Sequence, residues 1–301
     1  LVAQEKREMA NGQVISEESS FKNADGQKIF AKYWKTSEKK PRALIFICHG
    51  VGEHCSRYER LGKALAERGY VAFTHDHVGH GHSDGERVQI SNFNCYIRDV
   101  FQHIDQVTAT HSGIPVFIFG HSMGGTIAIQ SVLDRPDFFT GAIFSAPSVK
   151  ADPAVATACL VFLGKIAAWI APAFQVIPPI DPSVLSRDPK EAKKYADDPL
   201  NWHGGLKARW TNAILNTMED IQKNISALKT PFFVAHGDDD QLVKIDSSIF
   251  LNENSPSKDK TFKVYKDCRH EILNELEESA ATFLKDVLEW IEQRLPVVLQ
   301  I

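Results

Sequence analysis

The run Val116-Phe117-Ile118-Phe119-Gly120-His121-Ser122-Met123-Gly124-Gly125 switches period halfway along. Its first four residues are apolar in succession, as in a strand buried on both faces. Residues 123–134 then take helical spacing and stop short of Pro136. The turn between them carries G-x-S-x-G, a weak signal alone but the sequence of a nucleophile elbow when it joins a strand to a helix. Glycines on either side of Ser122 let the backbone pass close to its neighbours, and the turn lifts the hydroxyl off the strand end. The N–H groups that open the helix then face any oxyanion formed there. The bland alternative is a Gly-rich turn with a capping serine.

The same alternation extends outward. Residues 19–34 read as a hairpin around Asp25-Gly26. A buried strand is expected over Ala43–Cys48, a helix over 58–68 ending at Gly69, a short strand at Val71-Ala72-Phe73 and a helix over 92–110. Ala142-Ile143-Phe144 reads as another strand. From 148 to about 227 the rhythm breaks into helical and Pro-rich pieces with no clear strand. It resumes with strands at Phe232-Phe233-Val234 and Phe262–Tyr265 and a last helix near 278–294. Strand–helix alternation predicts right-handed crossovers and a mainly parallel sheet flanked by helices. With the elbow, this gives an α/β class of the α/β-hydrolase type. Its core comprises 19–147 and 228–301, with a helical cap inserted at 148–227 and an N-terminal extension at 1–18.

The chain has 301 residues, 43% hydrophobic and 24% charged, enough for a large core with an insertion. A net charge of −4 supplies no basic field for a phosphate backbone, so nucleic acid is not an expected partner. Five scattered cysteines without a C-x-x-C pair suggest reduced thiols, mostly small buried apolar residues, and a cytoplasmic setting. Residues 1–20 are polar and show no apolar core of a secretion signal.

An unactivated serine is a poor nucleophile and needs a base. In this fold the order is Ser, then Asp or Glu, then His. After Ser122 only His203, His236 and His270 remain. His270 follows a strand near the C-terminal end, where the base belongs; His203 lies in the insertion, and His236 ends a strand. Asp238, Asp239 and Asp240 all lie in a loop at a strand end, and spacing does not separate them. The run His49-Gly50-Val51-Gly52 follows the first buried strand. A tetrahedral intermediate needs two N–H donors, so Val51 and Met123 are the expected oxyanion pair.

Two further features invite other readings. His75, His77, His80 and His82 alternate around Asp76, yet match no standard zinc spacing, so a Gly-rich loop after a strand is expected there and not a metal site. Residues 154–171 hold one charge, Lys165. A single membrane crossing there would place Ser122 and His270 on opposite sides, so the segment is expected to be a core helix of the cap or a greasy lid touching a lipid surface.

The runs His49-Gly50-Val51-Gly52-Glu53-His54, Arg57-Tyr58, His75–Gly81, Gly120–Gly125, Pro179-Ile180-Asp181, Ser183-Val184-Leu185-Ser186-Arg187 and Asp198-Pro199-Leu200 together resemble the monoacylglycerol lipase family from about residue 21 to 295. The resemblance implies hydrolysis of a monoacylglycerol to glycerol and a free fatty acid without a cofactor; with the apolar segment and the reduced thiols, a cytoplasmic enzyme attached peripherally to membranes is expected. The resemblance further implies Asp240 as the acid, Val51 and Met123 as oxyanion donors, and Glu53, Arg57 and Tyr195 around the glycerol. Val51 stands where mammalian members carry Ala, Leu273 where they carry a histidine, and Asn201-Trp202-His203 replaces a Cys-containing stretch. A lysophospholipase, a general carboxylesterase or a non-catalytic binding module of the same fold are the rival readings.

Overall fold

A computed structural model describes residues 13–37, 40–151 and 166–296. Among the described residues ten strands run β1 (Ile15–Lys22), β2 (Lys28–Lys35), β3 (Leu44–Cys48), β4 (Val71–His75), β5 (Val116–His121), β6 (Gly141–Ser145), β7 (Gln175–Ile177), β8 (Leu206–Lys207), β9 (Phe232–Gly237) and β10 (Lys260–Tyr265). Eight of them form one sheet in the order β1-β2-β4-β3-β5-β6-β9-β10, while β7 and β8 pair separately. The hairpin strand β1 pairs antiparallel with β2, and β2 with β4; every other pair in the large sheet is parallel.

The central strands β3, β4, β5, β6 and β9 are buried from end to end. Successive side chains point to opposite faces, so each continuous apolar run is shared between two cores. Ile45, Ile47, Phe117, Phe119 and Ile143 pack against α1 (Glu59–Glu67) and the final helix Glu277–Glu292. Phe46, Ile118, Phe144 and Val234 pack on the other face against α2 (Asn94–Thr110), α3 (Met123–Asp134) and the helix Ala208–Asn224. Each such side chain contributes roughly 1.5–3 kcal/mol when fully buried. Because the parallel strands share a direction, the loops after β3, β4, β5, β6, β9 and β10 gather at one edge, where open α/β sheets bind ligands.

Three elements depart from expectation. The hairpin is longer than 19–34, because its outer strand is exposed and polar and carries little hydrophobic signal. The helix Asp246–Asn254 was not foreseen; its apolar residues lack a helical period. The insertion contains β7 and β8, three and two residues long and 28 residues apart, too short for any alternation to register. The proposed lid at 154–171 lies mostly outside the described residues; from 166 to 170 it is helical.

Of the histidine-rich stretch that begins at the end of β4, His75, His77 and His80 are buried in the core and His82 is exposed. Tyr33 Oη lies 2.7 Å from His103 Nε2, and His103 Nδ1 lies 3.2 Å from His75 Nδ1. His75 Nε2 in turn lies 3.2 Å from His77 Nδ1, and the His77 N–H donates to His49 Nε2 at 2.9 Å. Asp76 accepts the N–H groups of Cys55 and His82 and so shapes the loop. No group of three or more His, Cys, Asp or Glu among the described residues is arranged to hold a metal. The described cysteines Cys48, Cys55, Cys95 and Cys268 are free and buried.

Burial keeps His75 and His77 well below their ordinary pKa, helped by neighbouring imidazoles, and takes His80 and His103 down to about 3. A base depressed in the folded state contributes its full stability only above its unfolded pKa, about 6.5. As pH falls through that value the unfolded chain takes up protons that the folded chain refuses. Each such imidazole then removes up to about 1.4 kcal/mol per pH unit. The depressed carboxylates Asp240 and Glu53 lose their contribution only nearer pH 4, and His270, shifted upward, offsets one of the histidines. Urea midpoints measured from pH 7.5 down to 5 should therefore fall, most steeply below 6.5. A midpoint independent of pH over that interval would refute the neutral row.

Candidate active site

Ser122 sits between β5 and α3 with φ 54° and ψ −120°, in the left-handed region that a serine avoids. Its N–H donates to Ser145 O at 3.0 Å, and its carbonyl accepts the N–H groups of Gly125 at 2.9 Å and Ser148 at 3.2 Å. The flanking glycines are required by close approach. A Cβ at Gly120 would lie 2.2 Å from the Gly124 carbonyl oxygen, and one at Gly124 would lie 2.2 Å from that of Cys48. Neither obstacle is a side chain that could swing away. The elbow expected from G-x-S-x-G is thus present, packed against the end of β3.

The three aspartates after β9 separate clearly. Asp240 is buried, and its Oδ2 lies 2.7 Å from His270 Nδ1. Its Oδ1 accepts the N–H groups of Leu242 and Val243 at 2.9 and 3.0 Å. Burial works against its charge, but the cationic field of His270 and hydrogen bonds from His236 and His270 outweigh it, and the carboxyl is held well below the usual range. His270 responds in the opposite direction: burial lowers it, Asp240 raises it, and the balance is upward. Asp239 is exposed, 3.5 Å from Arg269, and Asp238 accepts the N–H of Asp267. His236 packs beneath, with Nε2 3.2 Å from Asp240 Oδ2 and Nδ1 2.7 Å from Ser248 Oγ. His203 is exposed in the insertion and lies 3.0 Å from the Asp198 carbonyl.

Ser122, Met123, Val51 and His270 all open onto one cavity of about 880 Å³. Ile177, Leu185, Ile214, Leu215 and Met218 supply apolar wall, nearly all of it from the insertion. Val51 and Met123, expected as the oxyanion donors, both line this cavity with Ser122. The loop carrying Val51 is fixed on both sides: Gly50 N–H donates to Glu53 Oε1 at 2.5 Å, and Trp202 N–H donates to Gly52 O at 2.7 Å.

Glu53 and Tyr195 also line the cavity, whereas Arg57 lies behind the wall. Its guanidinium is buried between Glu53 at 2.9 Å and Glu271 at 2.5 Å and rests 5.0 Å over the Tyr195 ring. Burial raises the Glu53 pKa, but Arg57 and the nearby histidines bring it to about 2. Tyr195 Oη is buried without a hydrogen-bond partner among the described residues. Glu271 faces the cavity as well and was missed from sequence; its adjacency to His270 was the available signal. Leu273 is buried in the core beside this cluster.

A family model described as serine aminopeptidase, S33, matches residues 39–277. The rat monoglyceride lipase is 39% identical over 275 residues, covering 91% of this chain and 90% of its own. The human monoglyceride lipase is 40% identical over 272 residues, covering 90% and 89%. A crystal structure of Paleococcus ferrophilus monoacylglycerol lipase superimposes with a TM-score of 0.77 at 28% identity, over 88% of this chain and 99% of that one. Similarity of this extent spans both halves of the sheet, the elbow between them and the insertion that walls the cavity. The chain therefore belongs to the monoglyceride lipase family, within the α/β-hydrolases of the S33 type.

Proposed function

We propose that the chain hydrolyses monoacylglycerols to glycerol and free fatty acid through an acyl-enzyme, without a cofactor. The observation that carries the reading is the strained Ser122 opening, beside the Asp240–His270 pair, onto a largely apolar cavity. His270 takes the Ser122 proton as Oγ attacks the ester carbonyl. Asp240 holds the imidazole tautomer and stabilises the imidazolium. The N–H groups of Val51 and Met123 receive the oxyanion. The carbon–oxygen bond to glycerol breaks, His270 returns the proton to the departing oxygen, and water repeats the sequence to free the fatty acid.

Glu53 and Tyr195 are placed to meet the glycerol hydroxyls, with Arg57 fixing Glu53 from behind. The insertion 148–227 acts as a cap over this site, and its apolar wall receives the acyl chain. At ~0.8 kcal/mol per buried CH₂, a long chain draws on the order of 10 kcal/mol from such a channel. The polar end opposes a lysophospholipid, because two carboxylates, Glu53 and Glu271, share a single guanidinium there and would repel a phosphodiester.

Membrane attachment is the second part of the proposal. No helix among the described residues is long and apolar enough to cross a membrane. Trp169, Ile170 and Phe174 are 83%, 68% and 63% exposed on one stretch of the cap, a patch suited to a lipid surface.

Wild type should cleave a long-chain monoacylglycerol and Ser122→Ala should not. A clear preference for lysophospholipids or short esters in a parallel panel would defeat the substrate assignment, and failure of a fluorophosphonate to label Ser122 would favour a binding module. Asp240→Asn should lower turnover by ~10⁴, whereas Asp239→Asn should stay near wild type; the reverse result would reassign the acid. Trp169→Asp with Phe174→Asp should reduce co-flotation with neutral lipid vesicles while sparing hydrolysis of a soluble ester. Unchanged flotation would remove this patch from the membrane contact.

A further inference from the structure

The segment Ser183-Val184-Leu185-Ser186-Arg187 has no part in the chemistry above, yet it is bonded along its length to the loop that carries His270. Glu271 N–H donates to the Leu185 carbonyl at 2.8 Å. Ser186 Oγ donates to the Asn274 carbonyl at 2.7 Å. Arg269 reaches the Ser183 and Ser186 carbonyls at 2.5 and 3.2 Å. At the centre is Glu275, whose side chain is wholly buried. Its Oε1 accepts the N–H groups of Arg269 at 2.8 Å and Arg187 at 3.2 Å. Its Oε2 accepts Arg187 Nε at 2.9 Å and the N–H of Leu276 at 3.2 Å. The two peptide N–H groups on either side of His270 are therefore held, one by Glu275 and the other by the Leu185 carbonyl.

The sheet alone gives the base loop little support. The loop follows β10, an edge strand, so the acid loop covers only one flank, where Asp239 N–H donates to the Cys268 carbonyl at 3.0 Å. The other flank is covered by residues 183–187. A buried carboxylate is costly unless fully hydrogen-bonded, and among the described residues the donors of Glu275 come from these two strips of chain. We infer that Glu275 and Arg187 are positioning residues, a brace from cap to core that sets the imidazole of His270 for proton transfer. The docking of residues 183–187 then governs turnover as well as access to the cavity. The inference rests on His270 acting as the base.

The test uses the full chain with Arg187→Ala, Arg187→Lys and Glu275→Gln, each normalised by titration of Ser122 with a fluorophosphonate. kcat and KM are measured from pH 5 to 9 on a long-chain monoacylglycerol and on p-nitrophenyl butyrate, a small ester that needs little of the cap wall. Misplacing a catalytic group by about 1 Å costs on the order of 10²-fold. We expect kcat per titrated site to fall up to about 100-fold in Glu275→Gln and about 10-fold in Arg187→Ala, on both esters. KM for the small ester should hold within about twofold, with partial recovery in Arg187→Lys. The acid limb of the pH profile should move to lower pH, because an imidazole less closely held to Asp240 gives up its proton more readily. Arg187 is partly exposed, so its variants decide the matter if Glu275→Gln does not fold. Unchanged kcat per titrated site, or a rise in KM confined to the long-chain ester, would overturn the brace. Failure of wild type to cleave either ester, or full activity in Ser122→Ala, would instead overturn the reading of the site itself.

Discussion

The molecule depends on one backbone conformation that serine does not favour. Holding Ser122 at φ 54° costs on the order of 1–3 kcal/mol, and the surroundings must over-determine it. They do so through four backbone hydrogen bonds to β6 and its following loop and to the start of α3, and through the two glycines that let β5, α3 and the end of β3 touch. The contact of Gly124 with the Cys48 and His49 carbonyls has a second result: it sets the loop containing Val51 beside the serine. Two motifs about 70 residues apart thus serve a single packing contact. A methyl group at position 124 would push Ser122 and the loop carrying Val51 apart together.

Around that contact the charges are sorted by how much company each has. Asp240 and Glu53 are buried and ionised because each collects several donors or a guanidinium. His75, His77 and His103 are equally buried but, among the described residues, their rings have only one another and Tyr33 as hydrogen-bond partners, so they stay neutral and act as polar core. His270 differs from them chiefly in having a carboxylate 2.7 Å away, which gives it an imidazolium state the others lack. A carboxylate within reach does not by itself make a candidate base, since His236 and His54 also lie within 3.2 Å of one; His270 joins that anion to a place on the cavity wall.

This sorting explains what could be read from sequence. Period and turn residues placed the buried strands, α3 and the elbow, because those features are local. The choice among Asp238, Asp239 and Asp240 was not local; it depends on which side chain turns inward to meet a loop 30 residues on, and only the resemblance favoured Asp240. Arg57 was expected against the glycerol, but its partner Glu271 lies 214 positions away and draws the guanidinium behind the wall. Glu275 was invisible for the same reason: a glutamate before a charged helix reads as solvated surface until the cap folds over it. The exposed hairpin strand, the short β7 and β8 and the helix Asp246–Asn254 carry too little periodic signal to be seen.

The cap resolves a conflict between access and rigidity. A site that holds an imidazole and two amides within a fraction of an ångström cannot rest on an element that moves as one piece. Residues 183–210 are bonded to two of the loops around the site: Leu185 to the base loop, and Trp202 N–H to Gly52 O at 2.7 Å with Asp198 to His54 at 2.9 Å on the loop after β3. Lys207 also reaches Glu86 at 2.7 Å. The stretch carrying Trp169, Ile170 and Phe174 is tied differently, by backbone bonds from Ala208 and Arg209 to the carbonyls of Phe174 and Pro172, and it turns its apolar side chains outward. A ligand can enter past the second part while the first stays in register with the sheet. Precision and admission are thereby assigned to different residues of the same insertion, with the cavity between them.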